Sequence, residues 1–187
     1  MVFFLRHANT GILARVANVI TGRTTTTFDT SVPTVVQKIQ RLSRIETVVY
    51  SLDTVIEGSK SSAVLPDLLA GDRILLIVHG QSIAGIDLSK LRSEDVRING
   101  KSIRVTLPAS ELFVTSIDNQ RTRVYARSTG LLTSPDQNLE SETRARAQAQ
   151  LQKEALSDGI LDAARKNARD TVATLLHGLG FEHVEVM

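Results

Sequence analysis

The dipeptide Asn99-Gly100 limits what this chain can fold into, because it stands between two short runs that alternate apolar and polar residues. Asn-Gly suits the positive φ angles of a two-residue type I′ turn, which joins antiparallel neighbours. With that loop, Val96 faces Ile103. Side chains alternate between the two faces of a strand, so the pattern predicts one buried face. Its members are Val96, Ile98, Ile103, Val105 and Leu107.

Longer apolar segments precede this hairpin. Residues 45–57 are rich in Val, Thr and Tyr, and predict one long strand. Residues 73–78 are apolar after the first position, which predicts a strand covered on both faces, and residues 83–88 predict another. Gly80 would permit a tight turn between those two strands, and Gly85 a bulge in the second.

The helical segments complete the fold class. Pro33 after Ser31 predicts a helix start, and residues 135–178 predict a long Ala-rich helical region that Gly159 interrupts. Residues 181–186 alternate apolar and polar side chains as a last strand. We predict an α+β fold with a mostly antiparallel sheet of hairpins. Residues 1–30 form an amphipathic helix and linker, and residues 31–187 form one domain with its sheet core at 45–128.

Composition excludes several kinds of chemistry. The chain has 187 residues, 42% of them hydrophobic, which suffices for one buried core and is short for two domains. Cysteine is absent, so disulfides, thiolate nucleophiles and Cys-based zinc or iron–sulfur sites are excluded. Aromatic residues make up 4% and the net charge is +2. Neither base stacking nor a strong positive field therefore favours a nucleic acid partner.

The N-terminal residues leave two interpretations open. Residues 1–5 are an apolar run far below the ~20 residues that span a bilayer, so they are either the end of an anchor or an ordinary first element. Residues 11–20 have apolar side chains at helical spacing. Such an amphipathic helix could lie on a membrane surface or pack on the protein's own core.

The catalytic and cofactor signatures are missing from the sequence. It has no phosphate-binding glycine fingerprint, Walker lysine, HExxH motif or nucleophile elbow, and its four histidines lie apart. We predict no metal and no cofactor. His79, Ser82 and Asp87 could supply a base, a nucleophile and an orienting acid, so a small hydrolase with a sheet-edge site is one alternative. Otherwise His79 is buried or stabilises a turn, and Asp87 forms a turn.

A basic row follows the second predicted hairpin, whose turn is placed at Asn119-Gln120. Its outward side chains are Arg121, Arg123, Tyr125 and Arg127. Such a row could bind an anionic ligand, either a lipid headgroup or nucleic acid. The alternative is an ordinary solvent-exposed strand face.

An apolar seam runs along the C-terminal helices from Leu151 to Leu179. Its members are Leu151, Ala155, Ile160 or Leu161, Ala164, Ala168, Val172, Leu175 and Leu179. The small residues allow close helix approach, either to the sheet or to another copy. We predict that the seam binds a protein partner or a second copy of the chain.

Four blocks occur in a characteristic order: SVPTVVQKIQRLSRIETVVY, AGIDLSKL, SIRVTLPASEL and LLHGLGFEHVEV. In this order they resemble the bacterial family called domain of unknown function 4230, over roughly residues 30–186. The resemblance implies a membrane anchor ahead of the domain and carries no established activity. We therefore expect a non-enzymatic binding or assembly domain of a membrane-anchored protein, with the present chain soluble.

Overall fold

The computed structural model describes residues 30–187, and the predicted amphipathic helix of residues 11–20 lies outside the described residues. Two 3₁₀ turns, Leu88–Lys90 and Ser93–Asp95, precede the short hairpin. The elements in chain order are α1 (Val32–Gln40), β1 (Arg44–Lys60), α2 (Asp67–Ala70), β2 (Asp72–Asp87), β3 (Val96–Asn99), β4 (Ser102–Val105), β5 (Ser110–Ile117), β6 (Arg123–Thr129), α3 (Leu139–Ser157), α4 (Ile160–Gly178) and β7 (His183–Val186).

A long sheet is built on β1 and β2, which pair antiparallel over nearly their whole lengths. The prediction of two strands between residues 73 and 88 is wrong, because β2 runs without a turn through Gly80. A Cβ atom on Gly80 would lie 2.4 Å from Cδ1 of Leu151 in α3. The glycine therefore lets a helix approach the sheet closely, which is another use of a residue without a side chain.

The second predicted hairpin is also wrong. Strand β5 pairs with residues 80–86 of β2, and β6 pairs with residues 72–77 of the same strand. Both are antiparallel to β2, so they run end to end along one edge and do not fold back on each other. The loop between them is held to β2 by the amide of Asp118, which donates to the carbonyl of His79 at 2.8 Å. The chain does turn at Asn119-Gln120 as predicted, but the two flanking strands pair with β2 and not with each other.

Helices α3 and α4 cover one face of the long sheet. Leu151 and Ala155 of α3 and Ile160 and Ala164 of α4 are fully buried there. Gly159 separates the two helices with φ +79°, in agreement with the predicted interruption. Residues 73–78 were expected to be covered on both faces, but within residues 30–187 the covering helices lie on one side only, and no described helix covers the other face.

A smaller sheet contains β3, β4 and β7, with β7 parallel to β4. The predicted buried face is confirmed, since Val96, Ile103 and Val105 are buried. The register differs by two positions, and Val96 pairs with Val105. A positive φ occurs at Gly100 and not at the next residue, which fits a type II′ turn one position later than the predicted type I′ turn. A shift of two preserves the faces.

These features confirm the predicted α+β class, with mostly antiparallel sheets and a last strand after the C-terminal helices. The organisation of residues 31–187 as one domain stays a prediction. Three buried clusters form the core, two beneath the long sheet and one between the small sheet, α1 and the end of α4.

We expect Gly58→Ala to lower the free energy of unfolding by about 1–3 kcal/mol. The added Cβ would lie 1.9 Å from Oγ1 of Thr143, a buried side chain that donates to the Leu139 carbonyl at 2.6 Å. Chemical denaturation measures the difference. Gly178→Ala is the matched control, because nothing lies within 4 Å of its added Cβ. A Gly58→Ala protein as stable as this control would contradict the prediction.

Candidate functional site

The three side chains of the hydrolase alternative are not brought together. His79 and Ser82 lie three positions apart on the uninterrupted strand β2, so they point to opposite faces. Ser82 is fully buried beneath the helices, with its Oγ 2.9 Å from Oγ1 of Thr115. Asp87 ends the strand and accepts hydrogen bonds from Ser89, which lower its pKa. These three side chains therefore do not form a catalytic triad.

His79 instead forms a pair that the sequence did not predict. Its Nδ1 lies 2.5 Å from Oδ1 of Asp53, the residue directly opposite on β1. The pair borders a polar pocket of about 240 Å³, which Gln81, Asp118 and Arg121 also line. Within residues 30–187, no serine hydroxyl hydrogen bonds to the His79 ring. The pocket is therefore lined by both acidic and basic side chains.

The predicted basic row does not share one face. Leu75 and Leu76 of β2 pair with Ala126 and Val124 of β6, so Tyr125 between them has no partner and forms a β-bulge. After the bulge the side chains exchange faces. Arg123 pairs with Ile77 on the open side, whereas Arg127 pairs with Ile74 on the side of the helices. Tyr125 is 66% exposed.

Arg127 is bound by a carboxylate of its own domain. Its Nη2 donates to Oδ2 of Asp72 at 2.7 Å and to the Asp136 carbonyl at 2.7 Å. Asp72 is 3% exposed and also accepts from the Thr129 hydroxyl. The hydrogen bond from Arg127 lowers the pKa of Asp72 to about 2, although burial acts in the opposite direction. Arg127 thus ties β6 to β2 and to the segment before α3.

The open face is the surface of the long sheet opposite α3 and α4. Its apolar members are Val49, Val55, Leu75, Ile77, Ile83 and Val114. Val49 is 54% exposed, Val55 60% and Val114 47%, and the other three are half-buried by their sheet neighbours. A sequence signal for part of this face exists, because residues 74–78 of β2 are all apolar, so both faces of that segment carry apolar side chains. That pattern was interpreted as burial on both faces.

The apolar seam packs inside the domain. Leu151, Ala155, Ala164, Ala168 and Val172 are all fully buried against the sheets. The small residues allow close packing either on the sheet or on another copy of the chain, and here they pack on the sheet. These five side chains are therefore not on the surface of the folded domain, whereas Leu175 and Leu179 are half-buried. That the seam binds a partner or a second copy stays a prediction.

A groove of about 710 Å³ lies beside the small sheet and the end of α4. Several of its polar side chains have partners in the domain. Nε of Arg104 donates to Oε2 of Glu185 at 2.7 Å, and Nδ1 of His177 lies 3.0 Å from the Phe181 carbonyl oxygen. These contacts join β7 to β4 and to α4, so they stabilise the small sheet. Sequence reasoning missed the groove because its walls come from segments far apart in the chain.

Two further observations concern metals and membranes. In residues 30–187, no three His, Asp or Glu side chains come close enough to hold a metal ion. None of the helices described over the same range is long and apolar enough to cross a bilayer.

Together these features define an α+β fold in which the described helices cover one face of the long sheet. A family model described as a protein of unknown function, DUF4230, matches residues 37–186. The chain belongs to the DUF4230 family, which confirms the resemblance of the four sequence blocks. No curated protein and no solved structure matches the chain.

Proposed function

We propose that this is a non-enzymatic assembly domain of a membrane-anchored protein, and that its open face binds a second copy of the chain. The observation that carries the proposal is the exposure of Val49, Val55 and Val114 on a sheet face that no described helix covers. An antiparallel sheet with a solvated face normally alternates apolar inward with polar outward. Here the outward positions include six Val, Ile and Leu side chains. Exposed apolar patches of this kind are typical of interaction sites.

The arrangement of the open face suits self-association. Val49, Ile83 and Val114 form one apolar group, and Val55 with Ile77 forms another. Between the two groups runs a polar belt across the three strands. It consists of Ser51, Gln81, Ser116 and the Asp53–His79 pair.

A two-fold axis through this belt would place each apolar group of one copy on the other group of its partner. Such an interface is isologous, since the same patch serves both copies. The two sheets would then pack about 10 Å apart, as in a β-sandwich. The polar belt would fix the register, because an offset would bury its charged groups against apolar side chains.

Val49→Asp and Val55→Asp test this proposal. Sedimentation velocity of the full chain over a range of concentrations should show a dimer, and each substitution should weaken it more than about tenfold. Both side chains are exposed, so the thermal unfolding midpoint should change little. Leu156→Asp is the matched control, because Leu156 is 42% exposed on α3, away from the sheet. A monomer at every concentration would overturn the proposal.

The membrane anchor has separate support and a separate test. It is supported by the family, whose members resemble proteins with a single anchor ahead of the domain. The coding sequence upstream of this chain should then encode ~20 consecutive apolar residues. A polar upstream sequence would contradict the anchor without affecting the open face.

A further inference from the structure

One end of the long sheet carries five strongly exposed aliphatic side chains. Their exposures are 88% for Val64, 42% for Leu65, 77% for Leu68, 80% for Leu131 and 70% for Leu132. We call this group the apolar tip. It comes from two segments, the β1–β2 connection and the residues after β6. The tip is separate from the open face, which lies on the strands themselves.

The apolar tip is a built feature of the fold. The amide of Leu132 donates to the Leu69 carbonyl at 2.8 Å, and the amide of Gly130 donates to the Gly71 carbonyl at 2.7 Å. A Cβ on Gly130 would lie 2.5 Å from the Leu69 carbonyl carbon, so the two segments are in close contact. The side chains point outward from this hydrogen-bonded frame.

The charges around the apolar tip are neutralised within the domain. Nζ of Lys60 lies 2.6 Å from Oδ2 of Asp136, and Nη2 of Arg73 lies 3.2 Å from Oδ2 of Asp67. Arg127 is held by Asp72, as described above. Residues 61–66 and 128–135 contain no charged side chain and are rich in Ser and Thr. Among residues 30–187, the surface at the tip is therefore aliphatic with a rim of hydroxyl groups, and the charged side chains beside it are paired with each other.

We propose that the apolar tip inserts into the hydrocarbon region of a lipid bilayer. Side chains that are 70–88% exposed protrude and cannot be the walls of a groove, so a soft apolar phase fits them better than a shaped partner. Protein-binding hot spots are enriched in Trp, Tyr and Arg, and the tip has none of them. Its neutral surroundings match the hydrocarbon interior and predict no requirement for anionic lipid.

A tryptophan probe tests the insertion directly. The chain has no Trp, so Leu131→Trp introduces a single reporter. With vesicles of zwitterionic phosphatidylcholine, its emission should shift to the blue and be quenched by lipids brominated on the acyl chain. Leu156→Trp, on α3, is the matched control and should show neither change. An unchanged Leu131→Trp spectrum would overturn the proposal.

Vesicle cosedimentation of the full chain supplies the second arm. Leu68→Asp combined with Leu131→Asp should reduce binding at least about tenfold, with an unchanged thermal midpoint because both side chains are exposed. Binding should persist at about 0.5 M salt, where exposed charge interactions are screened. Loss of binding in salt would overturn insertion in favour of headgroup attraction.

Self-association has to be distinguished in the same proteins. Leu68→Asp with Leu131→Asp should leave the sedimentation coefficient of the dimer unchanged, and Val55→Asp should still bind vesicles. If the tip substitutions instead abolish dimerisation and leave vesicle binding intact, the tip is a protein interface and the proposal fails.

Discussion

Leu151→Ala is expected to lower the free energy of unfolding by about 3–4 kcal/mol, which is within the range for truncating a buried leucine. Leu151 is fully buried in α3 and belongs to a cluster with Ile74, Leu76 and Val78 of β2. The position opposite it on the sheet is Gly80, whose missing side chain makes room for it. No side chain at that position can fill the space, so the substitution should leave a cavity that collapses poorly.

Leu156→Ala is the control for this prediction. Leu156 lies in the same helix, is replaced by the same residue and is 42% exposed, so we expect a loss below about 0.5 kcal/mol. Equilibrium denaturation in urea measures both proteins, and the slope with denaturant should stay constant. Equal losses would mean that the seam is not buried in solution, and would restore it as a surface for a partner.

Asp72→Asn is expected to cost about 3 kcal/mol at neutral pH, the low end of the range for breaking a buried ion pair, because Arg127 remains partly solvated. The substitution leaves the Arg127 guanidinium, 27% exposed, without its counter-charge. It also weakens the bonds from Thr129 and from the Asp136 amide. The loss should therefore loosen β6 together with the segment leading into α3.

The same carboxylate gives a dependence on pH whose sign is defined. The pKa of Asp72 is about 2 in the folded protein and 3.8 ordinarily, so the folded state holds the charged form more tightly. This contribution to stability is complete above about pH 4 and is lost as the pH falls through 2. Chemical denaturation at a series of pH values from 7 to 2 measures the free energy of unfolding of both proteins. The difference between wild type and Asp72→Asn should become smaller as the pH falls from about 4 to 2.

An exposed Asp–Arg pair is the control for Asp72. Asp67→Asn breaks the contact with Arg73, but the Asp67 side chain is 43% exposed and the Arg73 side chain 59%. We expect a change below about 1 kcal/mol, as for other surface ion pairs. If the difference in free energy of unfolding between wild type and Asp72→Asn stays constant down to pH 2, the lowered pKa of Asp72 is contradicted.

Local features of the chain were predictable from its sequence. Pro33 and Gly159 mark a helix start and a helix interruption, because their effects on φ act within their own residues. The buried face of the short hairpin was also predicted, since alternation of Val96, Ile103 and Val105 is a property of each strand alone. Even a register error of two positions leaves such a face unchanged.

The candidate sites were much less predictable. His79 and Ser82 were grouped because they are close in sequence, but one continuous strand separates them onto opposite faces. Arg127 was grouped with Arg123, but a bulge exchanges their faces and Asp72 binds the second guanidinium. Both outcomes depend on strand β2, which pairs with β1 along one edge and with β5 and β6 along the other.

The sequence by itself therefore determined the α+β class, the family, the break between the two C-terminal helices and the absence of cysteine chemistry, since composition and short-range periodicity carry these properties. Tertiary structure alone decided which strands pair, which face of the long sheet the helices cover and where apolar side chains remain exposed. Strand pairing joins residues that are tens of positions apart in the sequence. A shift of one residue in the pairing register moves every side chain of a strand to the opposite face of the sheet. The open face and the apolar tip arise at this level, where no local pattern distinguishes an uncovered valine from a buried one.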